Sequence, residues 1–259
     1  MRIVTWNING IKARLPVVTD WLAQQKPDIV CLQEIKSIDD NFPREPFETL
    51  GYNVETHGQK GFNGVAILSL LPFDEVHCGL PGNKEDTQAR LIEGVFSTEK
   101  GVVRVCNIYL PNGNPVDSDK FPYKLNWMDR LHEFAQSRLQ LEEPFVLLGD
   151  FNLIPEKIDC HDPKSWWGDA LYRPESLEKF RALGNLGLTD ALRAVTGAPS
   201  YTFWDFQSGA WRRNNGIRID HLMLSPQAAD RLEGVVVHKE LRGWDKPSDH
   251  VAVEGSFSL

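Results

Sequence analysis

Side chains that can move protons or hold cations stand where several apolar runs of this sequence end. The clearest case is Phe145–Asn152, in which four apolar residues are followed by Gly149, Asp150, Phe151 and Asn152. Because side chains two apart in an extended chain share a face, Asp150 and Asn152 point the same way. Further residues of this kind, each at or just beyond the end of an apolar run, are Asn7, Glu34, Tyr109, Asn112, Asp220, Asp249 and His250.

Most of these positions have a purely structural explanation when they are taken singly. Asn7 and Asn112 are typical turn residues, and Glu34 could be a solvated strand end. A tyrosine at a strand end is often half buried with its hydroxyl group in water. Asp220 is harder to explain in this way, because it lies within an apolar strand and a buried carboxylate needs a partner. We expect His250 to be that partner.

Taken together, these residue types match what the hydrolysis of a phosphodiester requires. Glu34 and Asp249 offer the oxygen ligands that Mg²⁺ takes in proteins. A cation held there would neutralise charge on the phosphate and help the leaving oxygen to depart. Asp150, with the amide of Asn152 beside it, suits the binding and deprotonation of an attacking water.

The remaining polar groups suit the stabilisation of a phosphate during attack. A histidine held by a carboxylate, His250 with Asp220, keeps its proton and can donate it to a non-bridging oxygen. The hydroxyl group of Tyr109 can add a further donor. These roles predict that the side chains meet at one place.

The order of the predicted elements brings strand ends together. Ile3–Asn7 is predicted to be a strand, Leu15–Gln25 a helix with Pro16 in its first turn, and Asp28–Leu32 a second buried strand. This order implies parallel strands on one side of a core. Further strands are predicted at Asn63–Leu68, Ala89–Phe96, Val102–Tyr109, Phe145–Leu148, Ile217–Leu224, Val235–His238 and Val251–Phe257, and further helices at Phe121–Leu141, Glu175–Leu183 and Asp190–Val195.

In the strand Ile217–Leu224, alternation places Arg218 on the face of Asp220, opposite Ile219 and His221. Short turns between the middle strands favour antiparallel pairing. Helix–strand units at both ends with antiparallel strands between them suggest two stacked sheets covered by helices on each outer side. No linker or low-complexity segment interrupts the chain, so we expect one domain, residues 1–259.

Composition places the chain among soluble globular proteins. It has 259 residues, of which 41% are hydrophobic and 25% charged, and it contains neither an apolar run of membrane-spanning length nor a signal-peptide pattern. Four cysteines without a CxxC pair are expected to be buried free thiols. We therefore expect a cytoplasmic protein that does not bind membranes and is a monomer.

A formal net charge of −8 argues against a simple nucleic-acid-binding module, because such domains are usually basic. The argument is weak for an enzyme, since a carboxylate-rich metal site adds negative charge and only one face must meet phosphate. Local basic clusters occur at Arg212–Arg218, at Lys239–Lys246 and at Lys120 with Lys124.

Seven short motifs run in order along the whole chain. They are Thr5–Gly10, Leu32–Lys36, Asn63–Ile67, Tyr109–Asn112, Leu148–Asn152, Gly216–His221 and Pro247–His250. Together they resemble the motifs of exonuclease III-type AP endonucleases, in particular those of the bacterial exonuclease III branch. The resemblance implies the α/β fold of the endonuclease/exonuclease/phosphatase superfamily, a four-layer α/β/β/α sandwich of two stacked mixed sheets flanked by helices.

The same resemblance implies a DNA repair hydrolase whose partner is double-stranded DNA with abasic sites or blocked 3′ ends. The implied activities are incision 5′ to an abasic site, 3′-phosphodiesterase, 3′-phosphatase and 3′→5′ exonuclease. The implied cofactor is Mg²⁺, for which Mn²⁺ can substitute.

The resemblance also assigns roles residue by residue. Glu34 matches the principal metal ligand, and the other candidate ligands around it are Asn7, Asp150, Asn152, Asp249 and His250. Asp150 matches the acid/base residue, and Asn152 the residue that orients water or stabilises the transition state. Tyr109 matches the active-site tyrosine, and Asp220 with His250 the hydrogen-bonded pair at the phosphate. The residues implied to contact DNA are Lys60, Phe62, Arg90, Asn112, Phe203, Ile217 and Ile219, of which Phe203, Ile217 and Ile219 match the apolar pocket for a flipped-out abasic sugar.

Three features depart from the family pattern. Asp249–His250 is followed by Val251–Ala252 where Ala-Pro is usual. Asn114 stands where some members carry an arginine that wedges into the duplex. The loop with Trp166 and Trp167 belongs to this branch only, so its role does not follow from the resemblance.

Two alternative functions remain open at this level. One is a relative in the same superfamily that hydrolyses another phosphodiester, such as a DNase I-like nuclease, a sphingomyelinase or an inositol-polyphosphate phosphatase; secreted members should carry a signal peptide and disulfides. The other is a catalytically inactive nucleic-acid-binding or scaffold protein. Such a protein should have lost at least one of Glu34, Asp150, Asn152 and His250, and all four are present.

Overall fold

The computed structural model describes the whole chain, residues 1–259, as twelve β-strands and seven α-helices. The strands are β1 (Arg2–Asn7), β2 (Ile29–Gln33), β3 (Asn53–His57), β4 (Val65–Ser69), β5 (Glu75–Cys78), β6 (Leu91–Thr98), β7 (Gly101–Tyr109), β8 (Phe145–Asp150), β9 (Thr189–Asp190), β10 (Asp220–Leu224), β11 (Leu232–Val237) and β12 (Val253–Phe257). The helices are α1 (Ile11–Gln25), α2 (Glu45–Thr49), α3 (Lys120–Leu139), α4 (Pro174–Asn185), α5 (Ala191–Val195), α6 (Ala210–Arg213) and α7 (Pro226–Ala229). None of these helices combines the length and the apolar character that crossing a lipid bilayer requires.

The strands form two six-stranded sheets that share one pattern. The order in the first sheet is β11-β12-β1-β2-β4-β3, and in the second it is β5-β6-β7-β8-β10-β9. Each sheet has one parallel pair at its centre, β1 with β2 and β7 with β8. A helix, α1 or α3, connects the two strands of each pair, as a parallel connection requires. The carboxyl ends of four central strands therefore lie at corresponding edges of the two sheets.

Three apolar clusters separate the layers of the molecule. Residues of both sheets, including Ile3, Ile67, Val105 and Leu148, form the cluster between the sheets. A second cluster lies between the first sheet and α1, and a third between the second sheet and α3 with α4. This arrangement confirms the predicted α/β/β/α sandwich of two mixed sheets flanked by helices.

Two buried amides join the sheets across the central apolar cluster. Gln33 Nε2 of β2 donates to Asn107 Oδ1 of β7 at 2.7 Å. Asn107 Nδ2 in turn donates to the carbonyl groups of Leu32 and Ala66, each at 2.9 Å. Hydrogen bonds are directional whereas apolar contact is not, so these bonds fix how far one sheet is displaced along the other.

The structure corrects the predicted start of α1. This helix begins at Ile11 rather than at Leu15, so Pro16 is its sixth residue and does not lie in the first turn. Ile11 is fully buried, and its burial favours the extra turn. Pro16 and Lys12 both lie on the exposed side of the helix, where water can satisfy the carbonyl group that lacks an amide partner.

The strand predicted at Ile217–Leu224 begins only at Asp220. Ile217 instead makes isolated bridges to Cys160 and Phe203. The prediction that Arg218 lies on the face of Asp220 and away from His221 is wrong, because Arg218 Nη1 lies 3.0 Å from His221 Nδ1. Ion pairs of the buried guanidinium group with Asp159 and Asp190 hold the chain away from strand geometry here.

Sequence patterns also missed six short elements, α2, α6, α7, β3, β5 and β9, which have at most five residues each. The cysteine prediction is confirmed in one part and wrong in another. All four cysteines are free thiols, and Cys31, Cys106 and Cys160 are buried, but Cys78 is exposed on β5.

Gly149 is the one residue of β8 that cannot carry a side chain. Its φ is +145°, and a Cβ atom placed on it would lie 1.9 Å from the carbonyl oxygen of Ile108 on β7. The missing side chain therefore allows β7 and β8 to pair next to Asp150.

We expect Gly149→Ala to lower the free energy of unfolding by roughly 2–4 kcal/mol, because the new methyl group forces the two central strands apart. Chemical denaturation measures this change. Gly184→Ala is the matched control: Gly184 lies in α4 with open space around it, so alanine there should raise stability by up to about 1 kcal/mol. Equal stability of Gly149→Ala and the wild type would contradict the explanation.

Candidate active site

Strand register aligns three of the predicted side chains in one row across the second sheet. Tyr109 of β7 pairs with Asp150 of β8 in the parallel ladder. Asp220 of β10 pairs with Asp150 in the antiparallel ladder. From the first sheet, Asn7 at the end of β1 pairs with Gln33, and Glu34 follows directly. The two sheets thus present their polar strand ends to each other at one edge of the sandwich.

Asp150 lies at the centre of this group. It is 1% exposed, and its carboxylate accepts hydrogen bonds from Asn7 Nδ2 at 2.9 Å and from the backbone N–H of Asn152 at 2.8 Å. Burial raises the pKa of Asp150 to about 7, although the positive charge of His250 acts in the opposite direction. A carboxylate with such a pKa can accept a proton near neutral pH.

His250 lies between two carboxylates. Its Nδ1 is 2.9 Å from Asp220 Oδ2, and its Nε2 is 3.6 Å from Asp150 Oδ2. Burial alone would lower the pKa of His250, but the charges of Asp220 and Asp150 raise it to about 10. Such a pKa favours the protonated imidazole at neutral pH, and the contact of Nδ1 with Asp220 is the pairing expected from the sequence.

Glu34 is tied to Asp150 through a single amide group. Asn7 Nδ2 donates to Glu34 Oε1 at 3.0 Å as well as to Asp150. The other carboxylate oxygen of Glu34, Oε2, lies 2.9 Å from Lys36 Nζ. Lys36 also donates to Asn9 Oδ1, and Asn9 Nδ2 donates to Asp249 Oδ1 at 3.1 Å. A chain of polar contacts thus links Glu34 to Asp249.

Sequence reasoning did not single out Lys36 or Asn9. The spacing carried a signal for both, since Lys36 is two residues from Glu34 and Asn9 is two residues from Asn7. The period-two rule applies to regular strands, whereas Asn9, Glu34 and Lys36 all have positive φ. Their meeting depends on this local backbone.

The donor set suits a hard divalent cation. Four carboxylates, those of Glu34, Asp150, Asp220 and Asp249, lie here, and the cationic side chains in direct contact with them are His250 and Lys36. Asp150, Asp220 and His250 place one ligand atom each within 4.8 Å of one another. Because His250 Nδ1 is already bonded to Asp220, the carboxylate oxygens of Glu34, Asp150 and Asp249 are the better ligands. These residues fit a cation that binds oxygen.

Tyr109 faces the same carboxylates. Burial raises the pKa of its hydroxyl group well above the ordinary value, and the negative charges of Glu34 and Asp150 add to the effect. The hydroxyl group therefore remains a donor. Arg90 packs over the ring, with its guanidinium carbon 5.1 Å from the ring centroid, and donates to the backbone carbonyl group of Tyr109 at 3.1 Å.

Hydrogen bonds fix both the side chain and the backbone of Asn152. Its side chain donates to the carbonyl group of Leu110 at 2.9 Å and accepts from Asn112 Nδ2 at 3.0 Å. Behind it, the buried Lys124 donates to the carbonyl oxygens of Asn152, Asn112 and Ala170 at 2.6, 3.1 and 3.3 Å. Burial lowers the pKa of Lys124 to about 7. Lys124 therefore acts inside the protein and adds nothing to the surface basic cluster in which the sequence placed it.

Two open clefts flank these residues. Phe203 and Ile217 line a cleft of about 510 Å³ that also holds Trp166, Asp169 and Arg213. The ring of Phe203 lies 5.0 Å from that of His250, so this cleft adjoins His250. Ile219 is 3% exposed and packs behind the cleft rather than lining it.

The second cleft, of about 380 Å³, is lined by Phe62, Arg90, Asn112, Asn114 and Lys120 among others. Lys60 is exposed nearby in sequence and lies outside this lining. Five of the seven side chains implied to contact DNA therefore line one of the two clefts: Phe62, Arg90, Asn112, Phe203 and Ile217. Arg218 of the predicted basic cluster is 1% exposed and ion-paired, so it belongs to the interior.

Comparisons with known proteins agree with this geometry. Residues 4–250 match the model of the endonuclease/exonuclease/phosphatase family. Exodeoxyribonuclease III of Haemophilus influenzae is 33% identical over 99% of this chain and 100% of its own length.

Two solved structures are similar over 100% of both chains. A 3′ phosphatase from Neisseria, in complex with a product DNA hairpin, has a TM-score of 0.96 and 40% sequence identity. An AP endonuclease from Archaeoglobus fulgidus has a TM-score of 0.94 and 35% identity. The shared fold and these identities lead to one conclusion. The chain belongs to the endonuclease/exonuclease/phosphatase family, among its exodeoxyribonuclease III-type members.

Proposed function

We propose that this protein is a DNA repair phosphodiesterase that incises the backbone 5′ to abasic sites and removes blocking groups from 3′ ends with the help of Mg²⁺. One observation carries the proposal: a protonated His250 lies between Asp220 and Asp150, and Asn7 joins Asp150 to Glu34. This arrangement places a base, a cationic donor and an oxygen-ligand site within the space of one phosphate.

In this proposal Asp150 binds the attacking water and takes its proton as the oxygen bonds to phosphorus. The bond between phosphorus and the 3′-oxygen of the preceding nucleotide breaks, and that oxygen takes up a proton from solvent. The products are a 3′-hydroxyl end and a 5′-phosphate on the abasic sugar. Asn7 and the N–H of Asn152 hold the Asp150 carboxylate in place for this transfer.

His250 and Tyr109 donate hydrogen bonds to the non-bridging oxygens, whose charge rises during attack. Asp220 orients the imidazole through Nδ1 and leaves Nε2 directed toward Asp150 and the phosphate. Glu34, Asp150 and Asp249 would hold the cation. When bound, a divalent cation supplies neutralisation of the phosphate and of the departing oxygen; Mn²⁺ has similar ligand preferences.

Damage selectivity in this proposal follows from the cost of moving a nucleotide out of the helix into the cleft beside His250. A sugar without a base leaves the helical stack at a lower cost than a paired nucleotide. Phe203 and Ile217 supply the apolar wall of this cleft. The relatives include both a 3′ phosphatase and an AP endonuclease, so the two activities must be measured side by side.

The direct test is to compare cleavage of a duplex with one abasic analogue, a duplex with a 3′-phosphate and an undamaged recessed 3′ end. We expect the purified protein with Mg²⁺ to cut the first and to trim the second, with no internal cuts in intact duplex. Failure on both damaged substrates would overturn the proposal.

Asp150→Asn should lower kcat by about 10²–10⁴-fold, the contribution of a positioned general base, because an amide cannot accept the proton. DNA binding should persist. Glu143→Gln is the control, since Glu143 lies just before β8 at its opposite end and pairs with Arg104. If Asp150→Asn keeps full activity, Asp150 does not activate the water.

EDTA should stop cleavage, and Mg²⁺ or Mn²⁺ should restore it. Glu34→Gln should raise the Mg²⁺ concentration for half-maximal activity by at least about tenfold, since it replaces a charged ligand. Calorimetric titration of Mg²⁺ into the protein without DNA gives a second readout. An unchanged Mg²⁺ requirement in Glu34→Gln would exclude Glu34 as a ligand.

The rate should rise with pH as Asp150 loses its proton. The midpoint of this rise should lie at about pH 7 or below, because a bound cation favours the carboxylate. The rate should fall near pH 10 as His250 loses its proton. Imidazole NMR of the cation-free protein checks the second assignment. His250 should be protonated at neutral pH, whereas His221, whose pKa is lowered to about 4 by burial and by Arg218, should be neutral. A neutral His250 at pH 7 would contradict its role as a cationic donor.

A further inference from the structure

Trp167 is the most exposed of the large apolar side chains, at 85% of its surface. Indole rings are usually buried or half buried. An indole ring that remains exposed to water has no packing partner within the free protein. The surroundings of Trp167 indicate what kind of molecule packs on it.

The loop that carries Trp167 is attached to the catalytic residues. Asn114 Nδ2 donates to Asp169 Oδ1 at 3.0 Å, and the N–H of Ala170 donates to Asn114 Oδ1 at 3.1 Å. Lys124 then connects the carbonyl group of Ala170 to that of Asn152. The backbone on the C-terminal side of Trp167 is therefore tied to that of Asn152, which limits the loop freedom that ligand binding would remove.

The loop of Trp166 and Trp167 borders the cleft beside Phe203, and Trp167 itself lines an adjoining stretch of surface, a cleft of about 370 Å³ with Tyr172 and Arg173. Trp166 and Asp169 line the cleft beside Phe203, and Asn114 lines the cleft beside Arg90. In the proposed function, a strand with its phosphate at His250 and its sugar against Phe203 occupies the cleft that Trp166 lines, and Trp167 is the next residue of that loop.

The negative charge of the protein favours a DNA contact that does not depend on electrostatic attraction. The protein has a net charge of −8, and many of its arginines are paired with carboxylates inside the protein. Those with the most buried guanidinium groups are Arg130 with Asp86 and Arg218 with Asp159 and Asp190. Arg173, which borders Trp167, pairs with Glu175. Arg213 and Lys120, which line the two clefts, have no carboxylate partner and attract phosphates, and stacking would add affinity that salt does not screen.

We propose that Trp167 stacks on a nucleobase of the substrate DNA next to the scissile site and so supplies affinity that does not depend on salt. The inference rests on the proposed function, because it takes DNA as the substrate. Stacking of a base on an aromatic ring tolerates any sequence, since every base has a π-face. Such a contact suits an enzyme that must act wherever damage occurs.

The test measures binding of a duplex with one abasic analogue in EDTA, so that no cleavage occurs. Trp167→Ala should weaken binding about 10- to 100-fold, the range expected for the loss of one stacked base. Trp167→Phe should stay within about threefold of the wild type because it keeps an aromatic face. Leu141→Ala is the control, since Leu141 is an exposed apolar residue at the opposite end of β8.

The salt dependence of DNA binding distinguishes base stacking from electrostatic attraction to phosphates. The loss in Trp167→Ala should be the same at low and high salt, whereas Lys120→Ala should reduce the salt dependence by about one phosphate contact. DNA should also quench the tryptophan emission of the wild type more than that of Trp167→Phe.

Unchanged DNA binding by Trp167→Ala, or a loss that disappears at high salt, would overturn the stacking role. A change in self-association of Trp167→Ala without a change in DNA affinity would also overturn it, because the ring would then contact a second copy of the chain. These outcomes are independent of the proposed function, which fails only if the wild type does not act on the damaged substrates.

Discussion

Asp150 and Asp220 face each other on neighbouring strands and are almost inaccessible to water. A positive charge and hydrogen bonds from the surrounding groups stabilise this pair. Asp150 and Asp220 are each 1% exposed and directly paired in register. Two like charges in such a place would not both persist without compensation. His250 supplies a positive charge between them, and Asn7 supplies a donor to Asp150. The protonation states that phosphodiester hydrolysis needs are therefore properties of the folded protein.

The remaining charges of the chain are distributed in a related way. Lys124 and Arg218 look like surface cations in the sequence, but both are buried and bonded to groups of the protein. They hold loops near the site in position. The carboxylates that would hold a cation in the proposed function lie beside a cleft that contains Phe203 and Arg213, so contact with a polyanion is favoured over this part of an otherwise acidic protein.

Much of this structure could be predicted from the sequence, because apolar runs indicate buried strands and the carboxyl ends of parallel strands lie at the same edge of a sheet. The sandwich, its parallel pairs and the meeting of Glu34, Asp150 and His250 follow from that logic. The contacts of Lys124 could not be predicted, since its acceptors are carbonyl groups of three loops whose path depends on the completed fold. For the same reason the sequence misplaced Arg218: burial of its ion pairs outweighed the alternation of a regular strand.

The amide pair of Gln33 and Asn107 has a consequence for how the protein fails when heated. The site is divided between the sheets, with Asn7 and Glu34 on one and Asp150 and Asp220 on the other. Slippage of one sheet against the other would leave every helix and strand intact and still separate the two halves. Thermal inactivation can therefore precede loss of secondary structure, and the bonds of these two amides set how far apart the two temperatures lie.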